Sequence, residues 1–120
     1  MIKNKKIVLT GADSGIGLEV LKILAAEESN KILAVDINCN NMDKFSDNVT
    51  PFVCDVSSQE NVDLIFNKAK KLFGKIDIFY ANAGYPYYEL MDYTDWDRTA
   101  RMFETNVYSA YFLTKECAKK

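Results

Sequence analysis

Gly11, Gly15 and Gly17 stand at G-x-x-x-G-x-G spacing in Thr10-Gly11-Ala12-Asp13-Ser14-Gly15-Ile16-Gly17, directly after the apolar run Ile7-Val8-Leu9. The same glycines open a helix-patterned stretch. A strand that turns on glycine into a helix N-terminus is a site for a phosphate or pyrophosphate. Missing Cβ atoms let the backbone approach the anion, and free N–H groups and the helix dipole favour negative charge. The spacing is not the G-x-G-x-x-G of the commonest dinucleotide fingerprint. Glycine-rich turns also arise for ordinary loop reasons, so the remaining residues must decide.

Asp36 ends the next apolar run, nineteen residues after Gly17. A carboxylate there accepts hydrogen bonds from the ribose hydroxyls of an adenosine and repels a 2′-phosphate. Residues 12–16 and 37–41 hold no Arg or Lys to attract such a phosphate, so NAD is favoured over NADP. The plainer alternative for Asp36, a solvated residue at a strand end, sits poorly with its register to the glycine turn. Two further apolar runs close on Asp55-Val56 and on Ala81-Asn82-Ala83-Gly84. Ligands of open α/β sheets bind beyond the carboxyl ends of the strands. One polar strand end means little; four in register make a site.

The elements that must position these residues follow from periodicity. Ile7–Leu9, Ile32–Val35, Phe52–Cys54 and Ile76–Tyr80 are continuous apolar runs, as expected for parallel strands buried on both faces. From Gly15 to Glu28 a helix is expected to bury Ile16, Val20, Ile23 and Leu24. Ser57-Ser58-Gln59-Glu60 reads as a capping box, with Ser57 and Glu60 as partners. The helix after it buries Val62, Ile65, Phe66, Ala69 and Phe73 and stops at Gly74. A last helix runs from about Thr94, a candidate N-cap, to the C-terminus, with Met102, Phe103, Val107, Ala110 and Leu113 as its apolar positions. The connection from Asn38 to Val49 is polar, so any helix in it is short. The predicted architecture is a Rossmann-like, doubly wound α/β fold over residues 1–120. It has four parallel strands in the order 3-2-1-4 with right-handed crossovers.

The 120 residues suffice for one modest domain. Fifteen basic and seventeen acidic residues give a net charge of −2, and no helix or loop carries a basic stripe, so nucleic acid and anionic membranes are poor partners. The run after the basic N-terminus is too short for a signal peptide, and no segment reaches transmembrane length. Cys39, Cys54 and Cys117 show no C-x-x-C spacing, and Cys54 reads as a buried reduced thiol. A cytoplasmic location is expected. The chain has no histidine, which removes the usual metal ligand and every His-based triad; no metal site is expected.

The glycine turn, Asp55-Val56, Asn82-Ala83-Gly84, and Trp96-Asp97-Arg98 leading to Thr105-Asn106-Val107 resemble the short-chain dehydrogenase/reductase family, classical type. The resemblance spans essentially the whole chain. It implies that Gly11, Gly15, Gly17, Ser14 and Ile16 hold the pyrophosphate side of the cofactor. Asp36 and Ile37 would bind the adenosine ribose, Asp55 and Val56 the adenine, and Asn82, Ala83 and Gly84 the nicotinamide-side ribose. Asn106 would be the active-site asparagine that helps organise a proton relay. Asp13 belongs to this cofactor-binding set too, although the family usually has a small neutral residue there. It adds a negative charge near the pyrophosphate unless its side chain points to solvent. The turn Glu27-Glu28-Ser29-Asn30 lacks the family's frequent glycine, and Asn30 can take the left-handed conformation instead.

In that family, hydride transfer uses an acid/base Tyr, a Lys four residues later and a Ser, with the cofactor carrying the hydride. These follow the asparagine by some tens of positions, and this sequence runs fourteen residues past Asn106. Tyr111-Phe112-Leu113-Thr114-Lys115 fits Tyr-x-x-x-Lys but falls where the family has a packing helix, so it reads as a decoy. The expectation is therefore the cofactor half of an NAD-dependent oxidoreductase acting on an alcohol or carbonyl, inactive as this chain alone, without the family's C-terminal strands. The alternative is a non-catalytic NAD-binding or sensing module; an extended relative such as a sugar-nucleotide epimerase ranks below both. The Ile76–Tyr80 strand would form an apolar edge. Dimerisation through it or the final helix is expected, with exposed aromatic surface at Tyr85-Pro86-Tyr87-Tyr88.

Overall fold

The two most continuous apolar runs become the two central strands. In a computed structural model, which describes residues 1–85 and 95–119, β1 (Lys6–Thr10) and β2 (Lys31–Asp36) pair in parallel, with Leu9 opposite Ala34. Ile7, Val8 and Leu9 on β1 and Ile32 to Val35 on β2 are fully buried. β3 (Val49–Val53) adds to β2 and β4 (Ile78–Tyr80) to β1, giving the parallel order β3-β2-β1-β4 predicted from the sequence.

The outer strands depart from the expected burial on both faces. After the buried Val49, β3 alternates, with Thr50 and Phe52 partly buried and Pro51 and Val53 exposed; an edge strand tolerates Pro51 because one side needs no N–H donor. β4 is only partly buried and pairs with β1 alone among the described residues.

α1 (Gly15–Ala25) crosses from β1 to β2 and presents Gly17, Leu21 and Leu24 to the core. Ile16 and Ile23, expected inside, are exposed. The stripe is rotated because Gly17, not Ile16, is buried, its Cα set against the Gly11 carbonyl. Asn30 follows in the turn before β2 and is fully buried without a left-handed backbone; among described non-glycine residues only Asn4 has positive φ. Its side chain does the work expected of backbone geometry. Nδ2 donates to the carbonyls of Leu24 and Ile2, and Oδ1 accepts from the Lys5 N–H.

Between β2 and β3 the only helix is a 3-10 turn, Met42–Lys44. α2 (Gln59–Phe73) then packs Val62, Ile65, Phe66 and Ala69 inward and ends at Gly74, whose φ of 77° is the left-handed stop predicted for it. The expected capping box between Ser57 and Glu60 does not form; a single N-cap bond one residue later takes its place. Asp55 accepts the Ser57 N–H in an Asx turn, so Ser58 becomes the N-cap and accepts from the Asn61 N–H.

The expected single last helix is broken in register. α3 (Trp96–Phe103) is capped by Asp95, Thr94 lying outside the described residues. A π-helical turn, Glu104–Tyr108, joins it to α4 (Ser109–Ala118). Of the predicted apolar positions, only Leu113 is fully buried, against Val62 and Phe66 of α2; Phe103 and Val107 are half-exposed. No helix among the described residues is long and apolar enough to cross a membrane.

Candidate functional site

A cleft of about 460 Å³ opens beyond the carboxyl ends of the four strands. Gly11, Ser14, Gly15 and Ile16 of the turn after β1 form its floor and one wall. Asp36 ends β2 and Ile37 follows it, Val56 follows β3, and Asn82, Ala83 and Gly84 follow β4. Residues predicted from four separate segments thus meet in one elongated cavity. Ile16 and Ile37 are exposed there, apolar walls open to a flat ligand.

The glycine turn is shaped by close approach. A Cβ on Gly17 would lie 1.8 Å from the Gly11 carbonyl oxygen, so only glycine lets α1 start against the turn. Gly15 has φ +55° and nothing within 4 Å of where its Cβ would point. Ser14 is the N-cap of α1, yet its side chain makes no capping bond, and the first turn carries no acidic residue. The helix therefore presents free N–H donors and an uncompensated positive end to the cleft. Such an end favours negative charge.

β4 is tied to the same turn. Thr10 Oγ1 accepts from the N–H groups of Asn82 at 3.0 Å and Ala83 at 3.1 Å. Asn82 Nδ2 donates to the Gly11 carbonyl at 3.4 Å. Asp36 is held on the other flank: Oδ2 accepts the Asp13 N–H at 2.9 Å and Oδ1 the Ile37 N–H at 2.7 Å. The Asn38 N–H adds a longer bond to Oδ1 at 3.4 Å, and a carboxylate with about four lone-pair sites still has room for a ligand's hydroxyl.

Of the predicted site residues, Asp13, Gly17, Asp55 and Asn106 lie outside the cleft lining. Asp13 does not point to solvent; its side chain is buried and lies outside the cleft lining. The carboxylate accepts the N–H groups of Asn40, Asn41 and Met42. Burial by itself would raise its pKa, but these donors, with Lys44 nearby, hold it below the ordinary aspartate value. Asp55 also lies outside the lining: its carboxylate takes the Ser57 N–H and an ion pair from Arg101 Nη2 at 3.2 Å. Cys54, read only as a buried thiol, occupies the wall beside Val56, and burial pushes its thiol pKa up. Sequence alone offered one signal for that placement, its position between the β3 run and Asp55-Val56.

Asn106 sits in the π-helical turn outside the cleft lining and clamps its far end. Its Oδ1 accepts the Tyr85 N–H at 2.8 Å and its Nδ2 donates to the Tyr85 carbonyl at 2.7 Å. The wider turn lets one side-chain amide satisfy both backbone groups of a loop residue. Tyr111 and Lys115 lie on α4, away from the cleft: Tyr111 meets Phe112 edge-on and Lys115 Nζ sits over the same ring. Residues 86–94, including most of the aromatic run Tyr85-Pro86-Tyr87-Tyr88, are outside the described residues.

Comparison with known proteins agrees with this geometry. A family model described as short chain dehydrogenase matches residues 5–120. The chain is 29% identical over 127 residues to short chain aldehyde dehydrogenase 1 of Euphorbia lathyris, covering 98% of this chain and 43% of that protein. It is 32% identical over 126 residues to an uncharacterised oxidoreductase of Bacillus subtilis, covering 98% and 35%. A crystal structure of 3-ketoacyl-(acyl-carrier-protein) reductase from Brucella melitensis, complexed with NADH, superposes with a TM-score of 0.86 at 26% identity. That match covers 95% of this chain and 49% of that one. The chain thus spans less than half the length of these relatives.

Proposed function

The chain belongs to the short-chain dehydrogenase family, and from that premise we propose that its cleft binds NAD for hydride transfer between the nicotinamide and an alcohol or carbonyl. The observation that carries the reading is the pairing of an uncapped helix N-terminus with Asp36 on one cleft: the first suits a pyrophosphate and the second a ribose. When bound, the nicotinamide supplies or accepts the hydride. The protein's part is positional. Ser14 and the α1 donors hold the anion, and Asp36 and Ile37 take the adenosine ribose. Cys54 and Val56 line the adenine side, while Asn82, Ala83 and Gly84 line the nicotinamide side. Asn106 fixes Tyr85 at that end and is the chain's contribution to the proton relay.

NAD rather than NADP is the proposed cofactor because Asp36 meets the ribose and residues 37–41 contain no basic side chain. Reduced thiols at all three cysteines, which form no disulfide, support a cytoplasmic setting. Self-association is part of the same reading, through half-exposed Phe103, Val107 and Tyr108 on the last helices or through the β4 edge. Light scattering of a stable monomer at high concentration overturns that part.

Calorimetry with NAD and NADP tests the cofactor assignment. Asp36→Ala should lower the ratio of NAD to NADP affinity by about tenfold or more, the size of a lost charge-assisted hydrogen bond. An unchanged ratio defeats the assignment.

A further inference from the structure

Asp13 is the one charged residue of the glycine turn and is only 3% exposed. Its Oδ1 accepts from the backbone of Asn41 at 2.7 Å and of Met42 at 2.9 Å, and its Oδ2 from Asn40 at 3.1 Å. Its main chain is engaged as well. The N–H donates to Asp36 Oδ2, and the carbonyl accepts Asn41 Nδ2, each at 2.9 Å. One residue therefore binds together the pyrophosphate turn, the ribose carboxylate and the segment after β2.

Successive backbone N–H groups that converge on one point make a nest for an anion. Here the nest is made by the N–H groups of residues 40–42, in the segment that continues from the cleft-lining Asp36, Ile37 and Asn38, and an internal carboxylate fills it. We propose that Asp13 is a positioning residue for cofactor selectivity: it fixes Asp36 and residues 37–42 as one unit and occupies their anion nest. The cleft then accepts a ribose 2′-hydroxyl and refuses a 2′-phosphate. The inference rests on the dinucleotide reading above but concerns a side chain that touches no cofactor. Its charge adds to that of Asp36 against a further anion.

The test measures NAD and NADP affinity by calorimetry, and amide exchange at Asn40, Asn41 and Met42, in the wild-type chain, Asp13→Ala and Asp13→Asn. In Asp13→Ala, protection at the three amides should be lost and the ratio of NAD to NADP affinity should fall about tenfold, as for one lost charge-assisted hydrogen bond. Asp13→Asn keeps an oxygen for Asn41 and Met42 while removing the charge, so it should fall between wild type and Asp13→Ala on both readouts. It carries the same criterion should the alanine variant not fold. Exposed amides with both affinities reduced equally would overturn the selectivity role and leave Asp13 a structural residue. Unchanged exchange would overturn the tie itself. If wild type binds neither dinucleotide, the cofactor reading falls and takes the selectivity role with it, while amide exchange still decides whether the tie exists.

Discussion

α1 and α2 both follow a parallel strand, both start at a serine N-cap with extended backbone, and both lie against the sheet, yet their N-termini are finished differently. Ser58 closes its helix by accepting the Asn61 N–H, Glu60 places a negative charge in the first turn, and the Asn61 amide donates to the Asp55 carbonyl. Ser14 makes no such bond, and no acid compensates the first turn of α1. α2 satisfies its own end; α1 leaves its end for something else. The rules that make a helix stable by itself are followed at α2 and left unmet at α1, and unmet donors beside a cleft are where a ligand replaces them.

The largest separation between the two regions should come from their glycines. A methyl at Gly17 would collide with the Gly11 carbonyl, which is backbone and cannot swing aside. Gly17→Ala should therefore reach the upper end of the roughly 1–3 kcal/mol cost of overpacking and abolish dinucleotide binding. Gly74, at the far end of α2, has φ +77° and open space around its missing Cβ. Gly74→Ala should cost only about 1–2 kcal/mol, the left-handed penalty, with binding intact. Urea unfolding and calorimetry on both variants check this. Similar stability losses with similar binding would erase the distinction.

A smaller, reciprocal pair of effects should come from the caps. Ser58→Ala should lose about 1 kcal/mol of stability and leave NAD affinity alone. Ser14→Ala should do the reverse, with little change in unfolding and several-fold weaker binding, since one neutral hydrogen bond is worth about 0.5–1.5 kcal/mol. If Ser14→Ala destabilises as much as Ser58→Ala, then Ser14 caps α1 after all.

These contrasts explain what was legible in the sequence. Strand order and cleft membership were readable because they depend on runs and on register: Gly11, Asp36 and Asn82 each stand at or just beyond a strand end, and parallel pairing brings such ends together. Side-chain direction was not. Asp13 and Asp55 sit one residue from cleft-lining neighbours, Ser14 for the first and Val56 for the second, and at that separation the chain can send adjacent side chains to different partners. Both carboxylates found backbone N–H groups nearer than the cleft. Asn30 shows the same limit, since a side-chain amide bonded to Leu24, Ile2 and Lys5 replaces a backbone conformation that propensity alone would assign. The π-helical turn at Asn106 left no periodic trace, because inserting one residue's worth of rotation shifts the faces that follow, Val107 among them, without changing residue types.

The smallest and most local effect should appear in acid. The Asp13 carboxyl titrates below its ordinary value of about 4 because Asn40, Asn41 and Met42 donate to its charged form. A depressed folded-state pKa contributes stability that is complete above the unfolded-chain value and disappears as pH falls through the folded one. The difference in stability between wild type and Asp13→Asn should therefore be constant at neutral pH and shrink below about pH 4, where the unfolded chain begins to take up the proton. Amide exchange resolved by residue should show Asn40 to Met42 opening at higher pH than Val62 to Ala69 in the core-facing stripe of α2. Simultaneous opening of both regions would mean that the sheet melts as one unit and that the tie at Asp13 has no separate stability. Earlier opening at residues 40–42 would show that the segment beside the cleft is held by a charge, whereas α2 is held by packing.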